Sequence, residues 1–175
     1  AAGVSVCDAI EKAVGFRPSI KWTNDLVSDR RKLGGILTEL RLDKDGNVDY
    51  AIIGIGINCC QRESDFPEEI RSVAGSLAMV SGSPVDRAGL AAAELEALYG
   101  MSTGLLSRKS EIMAQYRKDC ITLGQAVSLV RGDEVRHGLA QDIDEDGALL
   151  VRFPDGHIET VNSGEVSVRG MYGYV

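Results

Sequence analysis

A lysine followed by paired glycines is the feature of this sequence best suited to chemistry on an anion. Lys32 stands just before Gly34 and Gly35 in an extended apolar run. Adjacent glycines weaken a strand unless another backbone or a flat ligand approaches closely. The lysine could then place one positive charge on a carboxylate or phosphate oxygen. A β-bulge beside a surface lysine would give the same pattern, so the motif alone leaves both interpretations open.

A second polar cluster precedes it, in the segment KWTND at residues 21–25. A cation, an amide and a carboxylate on a predicted tight turn could bind a polar ligand at the edge of a sheet, with Asn24 and Asp25 as its contacts. A lysine reaching solvent, a core tryptophan and an Asx turn would produce the same residues. Taken alone, this segment favours the structural interpretation.

Alternating glycines mark a third segment, in which Gly54 and Gly56 are followed by Asn58. The third glycine and the following helix of a dinucleotide-binding fingerprint are missing. A strand with one face left bare for a ring fits the pattern better. The amide of Asn58 would suit the N6 and N7 edge of adenine.

Composition limits the classes of function. The 175 residues are 44% hydrophobic and 26% charged, as in an ordinary globular protein. The net charge of −7 repels phosphate backbones, so we expect no nucleic-acid binding through this segment. The longest apolar run, residues 50–60, is too short to cross a bilayer, and we expect no membrane association.

Cysteine and histidine usage argues against a zinc site, because no C-x-x-C pair is present. We interpret the cysteines as buried reduced thiols of a cytoplasmic protein and the histidines as solvated side chains. The residues concerned are Cys7, Cys59, Cys60, Cys120, His137 and His157. Walker A, G-x-S-x-G and H-E-x-x-H motifs are absent from the sequence.

Apolar periodicity and turn residues predict an α/β unit that carries these segments. A helix over residues 1–15 should stop at Gly15, but no capping residue precedes it, which suggests a chain entered midway. Extended segments are predicted at 18–22, 33–42 and 50–57, with a turn at 43–47. We expect the last two to form a hairpin in the middle of a larger sheet, with 50–57 buried on both faces.

Helices are predicted to follow this hairpin. One should open at Pro67, a second should be capped by Ser83 before Pro84, and a third should span residues 107–118. Their predicted inward residues are Ile70, Val73 and Leu77; Leu90, Ala93, Leu95 and Leu98; and Ile112 and Tyr116.

The pattern changes near residue 121. Short alternating runs between residues 125 and 168 predict several strands, and hence a small barrel or sandwich. The turns between them are predicted at 132–133, 144–147, 154–156 and 162–164. We therefore expect two domains, at residues 1–120 and 121–175.

In order, KWTND, KLGGIL and GIGIN, followed by a β-module from LGQAV to GEVSVRGMYGYV, resemble biotin–protein ligase over essentially the whole chain. The resemblance implies an α/β (α+β) fold with a mixed sheet and helices. That fold is similar to class II aminoacyl-tRNA synthetases, incomplete at the N-terminus, and followed by a C-terminal SH3-like β-barrel. The family joins biotin to ATP with Mg²⁺, which forms biotinyl-5′-adenylate and pyrophosphate. A lysine of a biotin carboxyl carrier domain then accepts the biotin and AMP leaves.

The resemblance also implies roles for individual residues. Lys32 would be the catalytic residue, meeting the biotin carboxylate and the oxygen that bridges to phosphorus. Biotin or its adenylate would contact Lys32, Gly34, Gly35, Ile36, Gly54 and Gly56. The nucleotide would contact Trp22, Asn24, Asp25 and Asn58. The carrier domain is the implied partner. The oligomeric state is left open, with a homodimer as one alternative; no tightly bound metal is expected, and metal-ligating residues are left unknown.

Two departures from the family pattern set the alternatives. Thr23 replaces the proline of KWPND, which removes a fixed φ but no ligand group. The family's Gly/Arg-rich loop over biotin and the ATP phosphates is not in these residues. We expect this loop to precede Ala1, and we expect the chain alone to be inactive. A non-catalytic binding or regulatory module is the alternative, and a lipoate–protein ligase is a more distant one.

Overall fold

The computed structural model describes residues 1–162 and the backbone of residues 167–169. The described residues form four α-helices and nine strands. The strands pair in two antiparallel sheets. The helices are α1 (Ala2–Val14), α2 (Leu77–Ser81), α3 (Arg87–Gly104) and α4 (Lys109–Asp119). The strands are β1 (Ser19–Lys21), β2 (Asp25–Ser28), β3 (Arg31–Leu42), β4 (Val48–Ile57), β5 (Ala126–Arg131), β6 (Glu134–Ile143), β7 (Leu149–Arg152), β8 (Ile158–Val161) and β9 (Ser167–Arg169). Within the described part of the chain, no helix combines the length and the hydropathy that crossing a bilayer requires.

Helix α1 stops where its sequence predicts. Gly15 adopts a left-handed φ of 87° and donates its backbone N–H to the carbonyl of Glu11 at 3.0 Å, which satisfies the last turn. Val6 and Ile10 are completely buried, whereas Ala13, predicted for the same face, is exposed. The helix packs its apolar face against α3 and α4 and reaches β2 of the first sheet.

The first sheet has the strand order β1-β2-β3-β4, and its last two strands form the predicted hairpin. Their turn is organised by Asp43, whose Oδ1 accepts the backbone N–H groups of Asp45 at 2.8 Å and Asn47 at 2.9 Å. An aspartate that accepts nearby backbone N–H groups in this way favours a turn, and Gly46 supplies the positive φ of 84° that the turn requires. The hairpin is therefore a local property of the sequence.

The prediction that residues 50–57 are buried on both faces is wrong. Tyr50 is 46% exposed and Ile52 is 55% exposed, and only the alternate residues Ile53, Ile55 and Ile57 pack partly against the core. Among the described strands, β4 has β3 as its single neighbour, so the hairpin lies at an edge and not in the middle. An apolar run shows that a strand is hydrophobic. Whether other elements pack on one or both of its faces depends on the rest of the fold.

The helix predicted to open at Pro67 is also absent. Residues 68–73 form successive turns shortly after a 3₁₀ helix at Glu63–Asp65, and Ile70 is 45% exposed. The segment instead pairs with β3, because Lys32 donates its backbone N–H to Val73 at 2.7 Å and accepts from Gly75 at 2.9 Å. Those partners use backbone groups that a helix would have satisfied internally.

Helix α3 begins later than predicted. Its cap is Asp86, whose carboxylate accepts the N–H of Ala88 at 3.0 Å, whereas Ser83 precedes the helix. Leu90 and Ala93 face the core as predicted, but Leu95 is 71% exposed. Helix α4 agrees with the third prediction to within two residues at its start and buries Tyr116.

The second sheet is the predicted β-module, with the strand order β8-β7-β6-β5-β9. Its turns fall at residues 132–133, 144–147 and 154–156, as the glycine pattern indicates. The described pairings form an open row, and closure of a barrel is not seen among them. The predicted turn at 162–164 and the closing segment 164–175 lie outside the described residues, apart from the backbone of β9. The domain boundary at residues 120 and 121 stays our proposal.

The cysteines differ in burial. Cys7 and Cys120 are buried as predicted, Cys59 is half-buried and Cys60 is exposed, so the prediction of buried thiols is wrong for Cys60. All four are free thiols. Burial raises the pKa of the Cys7 thiol to about 12, with nearby Asp119 adding to the shift.

One ion-pair cluster joins α1 to the end of α4. Arg17 donates to both oxygens of Asp119, through Nε at 3.0 Å and Nη2 at 2.6 Å, and also reaches Asp8 and Glu11. The hydrogen bonds to Asp119 are the main cause that raises the pKa of Arg17 above its ordinary value. The carboxylate of Asp119 is only 7% exposed, so it depends on this partner.

We expect Arg17→Ala to destabilise the fold by about 3 kcal/mol, because it leaves a buried carboxylate without its bidentate partner. Urea denaturation of the two proteins measures this difference. The matched control is Lys12→Ala, since the Lys12–Glu96 pair is 64% and 72% exposed and should contribute little. Equal unfolding free energies for both variants would contradict the assignment.

Candidate active site

The turn between β1 and β2, residues 22–25, is fastened to the third strand. Ile36 donates its N–H to the carbonyl of Asn24 at 3.0 Å, and the Asn24 amide donates to the carbonyl of Ile36. The next residue, Asp25, begins β2 and lies opposite Gly35 in the strand register. The peptide bond between Trp22 and Thr23 is cis. This 22–25 turn therefore sits directly beside the glycines of β3.

A lysine–aspartate pair lies at that junction. Lys32 Nζ donates to Asp25 Oδ1 at 2.6 Å, and the two side chains are 41% and 22% exposed. Because an ammonium carries three donors, the one bond to Asp25 leaves Lys32 able to bind a second anion. The aspartate thus orients the cation without using up its hydrogen-bonding capacity.

A second lysine lies close by with a different environment. Lys21 is 8% exposed, and burial lowers the pKa of its ammonium. Asp25 opposes that shift, while the positive charge of Lys32 adds to it. The carboxylate of Asp25 therefore interacts electrostatically with both lysines.

The glycines of β3 have two distinct roles. A Cβ on Gly35 would lie 3.4 Å from Asp25 Oδ1 and 3.6 Å from Lys32 Nζ, so Gly35 lies directly beneath the charged pair. A Cβ on Gly34 would lie 2.3 Å from the carbonyl oxygen of Gly56, closer than any side chain tolerates. Gly35 leaves room for the charged pair, whereas Gly34 lets two strands approach each other.

The glycines of β4 extend the bare surface. A Cβ on Gly56 would meet only the carbonyl of Gly35 at 4.0 Å, and one on Gly54 only the carbonyl of Leu37 at 3.8 Å. Since Gly35 pairs with Gly56 and Leu37 with Gly54, these positions share one face of the sheet. No side chain of the described residues lies within 4 Å of a Cβ at Gly54 or Gly56, so the bare part of this face lies on β4, beside the charged pair over Gly35.

A groove of about 520 Å³ lies over the paired glycines. From the predicted site residues it is lined by Lys32, Gly34, Gly35, Gly56 and Asn58. Ile57 of β4 also lines it, and its opposite wall consists of Phe66, Ile70, Val73 and Ala74. The sequence analysis missed Ile70, Val73 and Ala74 as site residues because it placed segment 67–77 in a helix, and it gave Phe66 no role.

Other predicted site residues lie outside this lining. The ring of Trp22 is buried, and its Nε1 donates to the carbonyl of Gly147 at 3.0 Å. Ile36 is 5% exposed and belongs to the hydrophobic core. Asn24 is exposed on its turn, and Gly54 lies further along the bare face. Their predicted ligand contacts therefore remain predictions.

Asn58 fastens one wall of the groove. Its amide donates to the carbonyl of Gly75 at 2.9 Å, and its backbone bonds to Leu33 and Leu77 at 2.8 Å each. Gly75 in turn donates to the carbonyl of Lys32. The side chain of Asn58 thus helps to hold the loop of residues 66–75 against the strand that carries the lysine.

A larger cleft of about 740 Å³ lies between α1, α3 and α4, away from the glycines. Charged side chains along it are paired with one another, as in Lys12–Glu96 and Arg108–Glu111. No group of three or more potential metal ligands of the His, Cys, Asp or Glu type occurs within the described residues. The groove over the glycines is therefore the site best suited to an anionic ligand with a flat body.

Two stretches of the chain match models of known families. Residues 3–58 match the biotin/lipoate A/B protein ligase family, and residues 122–169 match the biotin protein ligase C-terminal domain. The groove-bearing sheet and the β-module thus place the chain in the class of biotin- and lipoate-type protein ligases.

Curated relatives and solved structures narrow this class. The bifunctional ligase/repressor BirA of Bacillus subtilis is 33% identical over 175 residues, 95% of this chain and 51% of the relative. The biotin–[acetyl-CoA-carboxylase] ligase of Mycobacterium tuberculosis is 29% identical, over 95% of this chain and 60% of the relative. The apo structure of the Aquifex aeolicus biotin protein ligase is 31% identical, with a TM-score of 0.79, 97% of this chain covered and 73% of that one. The structure of that ligase with biotin and ATP aligns with a TM-score of 0.78 at 31% identity, over 97% and 69% of the two chains.

The chain belongs to the biotin protein ligase family. It spans about half the length of the curated BirA relatives that it matches.

Proposed function

We propose that the protein containing this chain is an ATP-dependent biotin–protein ligase. It forms biotinyl-5′-adenylate and transfers biotin to a lysine of a biotin carboxyl carrier domain. The observation that carries the proposal is the Lys32 ammonium, 2.6 Å from Asp25, directly over Gly35 and beside the bare surface of Gly56. Adenylation requires a cation where an acid meets a phosphate, and this arrangement supplies one.

Lys32 is the proposed catalytic residue. A carboxylate attacking phosphorus gathers negative charge on the bridging and equatorial oxygens, and a fixed ammonium stabilises that charge most in the transition state. Asp25 holds the ammonium in one place, so little reorganisation is required during the reaction. No covalent intermediate with the enzyme is required, because ATP activates the acid.

The paired glycines supply the surface for biotin. In the proposal, the ring system lies on the bare surface of Gly56, beside the charged pair over Gly35, and the apolar side chains of Phe66 and Ile70 cover it from the opposite wall. The proposed contacts of biotin or its adenylate are Lys32, Gly34, Gly35, Ile36, Gly54 and Gly56. The side chain of Ile36 is buried in the core, so in the proposal Ile36 contacts biotin through its backbone.

The nucleotide is proposed to lie at the 22–25 turn and the end of β4, with Trp22, Asn24, Asp25 and Asn58 as its surroundings. Mg²⁺ enters with ATP as part of the substrate. One protein carboxylate together with substrate phosphates is an ordinary environment for that ion. Asp25 is the carboxylate that lines this corner.

The proposed partner is a biotin carboxyl carrier domain, by analogy with relatives named as biotin–[acetyl-CoA-carboxylase] ligase. We also propose a cytoplasmic location and a possible homodimer. A net charge of −7 favours a protein acceptor over nucleic acid for this segment.

The test uses the gene product as encoded, with any segment that flanks these residues retained. We expect ATP–pyrophosphate exchange that depends on biotin and is not supported by lipoate. Transfer of label from biotin to a purified carrier domain measures the second step. Exchange driven by lipoate alone would assign the protein to the lipoate ligases. The absence of exchange with either acid would favour the non-catalytic module.

A further inference from the structure

The indole of Trp22 links the first sheet to the second. The backbone N–H of Trp22 donates to Thr122 Oγ1 at 2.9 Å, and the indole Nε1 donates to the carbonyl of Gly147 at 3.0 Å. Trp22 is only 6% exposed, so its indole N–H needs that acceptor. Gly147 belongs to the β6–β7 turn, residues 144–148. The proposed function assigns this turn no role in the reaction.

The rest of the 22–25 turn is held by other elements. Tyr116 of α4 donates its hydroxyl to the carbonyl of Thr23 at 2.7 Å. The next residue is bonded to β3, and Asp25 holds the Lys32 ammonium. The position of that ammonium therefore depends on how the second sheet and α4 hold the beginning of the turn.

The β6–β7 turn is rigid enough to serve as an anchor. Asp144 Oδ1 accepts the backbone N–H groups of Asp146 and Ala148, each at 2.9 Å, and Gly147 has a φ of 92°. Arg117 of α4 donates to the carbonyl of Ile143 at 2.7 Å, immediately before the turn. The Asp144 carboxylate thus fixes the loop that presents the Gly147 carbonyl to the indole.

We propose that Trp22 and Asp144 are positioning residues of the adenylation reaction. Asp144 shapes the β6–β7 turn, the turn fixes the indole of Trp22, and the indole fixes the 22–25 turn that carries Asp25 and orients Lys32. The inference rests on the proposed function. It gives the β-module a part in the first chemical step, through the hydrogen bond between Trp22 and Gly147.

The chain contains a matched control for this proposal. The β3–β4 turn, residues 43–47, has the same design, with Asp43 Oδ1 accepting two backbone N–H groups at 2.8 and 2.9 Å and Gly46 at a φ of 84°. That turn lies at the exposed end of the hairpin. Asp43→Ala removes the same local hydrogen bonds as Asp144→Ala without touching the contact to Trp22.

The experiment compares Asp144→Ala, Asp144→Asn, Trp22→Phe and Asp43→Ala in the full gene product, by steady-state biotin-dependent pyrophosphate exchange. We expect Asp144→Ala and Trp22→Phe to lower kcat about tenfold, since small misplacements of a catalytic group are costly. In Asp144→Ala the KM values for ATP and biotin should stay within about twofold, because Asp144 is not a proposed ligand contact and the lost interaction belongs to the transition state. Asp144→Asn keeps an acceptor oxygen and should restore kcat, and Asp43→Ala should match the parent.

Tryptophan emission reports on the contact itself. The emission of Trp22, taken as the difference between each protein and its Trp22→Phe counterpart, should move to longer wavelength in Asp144→Ala but not in Asp43→Ala. Unchanged kcat in Asp144→Ala, in an enzyme that does adenylate biotin, overturns the inference and leaves the proposed function standing. An equal loss of kcat in Asp43→Ala also overturns it. A parent protein without biotin-dependent exchange overturns the proposed function, and this inference with it.

Discussion

Replacing Lys32 with alanine is expected to lower the kcat of biotin-dependent pyrophosphate release by at least about 100-fold, because the reaction loses its placed cation. Lys32 Nζ is 2.6 Å from Asp25 and lies over Gly35, 3.6 Å from where a Cβ on that residue would be. Removing it also leaves the Asp25 carboxylate where the carboxylate of biotin must come, which adds repulsion. Pyrophosphate exchange with the full gene product measures the effect.

Two further variants separate the chemistry from general loss of charge. Lys44→Ala removes an exposed lysine from the hairpin turn and should leave the rate unchanged. Lys32→Arg keeps the charge but replaces a compact ammonium with a planar fork, so we expect it to recover little activity. Near-normal adenylation by Lys32→Ala would remove this residue from the chemistry.

Gly34→Ala is the substitution in the groove with the largest expected effect on stability. The added Cβ would lie 2.3 Å from the carbonyl oxygen of Gly56 and 3.2 Å from Cα of Ile57, and both are backbone atoms of the paired strand. Relief would require β3 and β4 to separate at the floor of the groove. We expect a loss of about 3 kcal/mol in unfolding free energy, measured by urea denaturation.

Gly54→Ala is the matched control on the same hairpin. Its Cβ would meet nothing closer than the carbonyl of Leu37 at 3.8 Å, so the strand can accept it. Alanine also loses less backbone freedom on folding than glycine, and we expect unchanged or slightly higher stability. A Gly34→Ala protein as stable as Gly54→Ala would show that the two strands are not constrained as described.

Several elements could be predicted because their causes are local. The hairpin turn at 43–47 follows from an aspartate that accepts nearby N–H groups and a glycine at positive φ, all within five residues. Turn residues also located the turn at 144–147, and a glycine located the end of α1 at Gly15. Lys32 and the paired glycines were singled out by their residue types, which need no tertiary information.

Other predictions failed because their outcome depends on distant partners. Residues 67–77 contain apolar spacing suited to a helix, yet their backbone bonds to Lys32 and packs around Arg31, whose guanidinium donates to the carbonyl of Ala74 at 3.2 Å. Strand β4 is apolar, yet its outer half has no covering layer among the described residues. Neither local propensity nor periodicity contains that information.

The sequence by itself determined the inventory of the site: a cation, a carboxylate, an amide and four glycines, on strands whose turns it also specifies. Tertiary structure alone decided that Asp25 holds Lys32, that Asn58 fastens a loop, and that Trp22 is an anchor on the second sheet. The physical reason is that turn and strand preferences arise among residues a few positions apart. Hydrogen bonds between segments depend instead on how helices and sheets pack, and only the folded chain sets that.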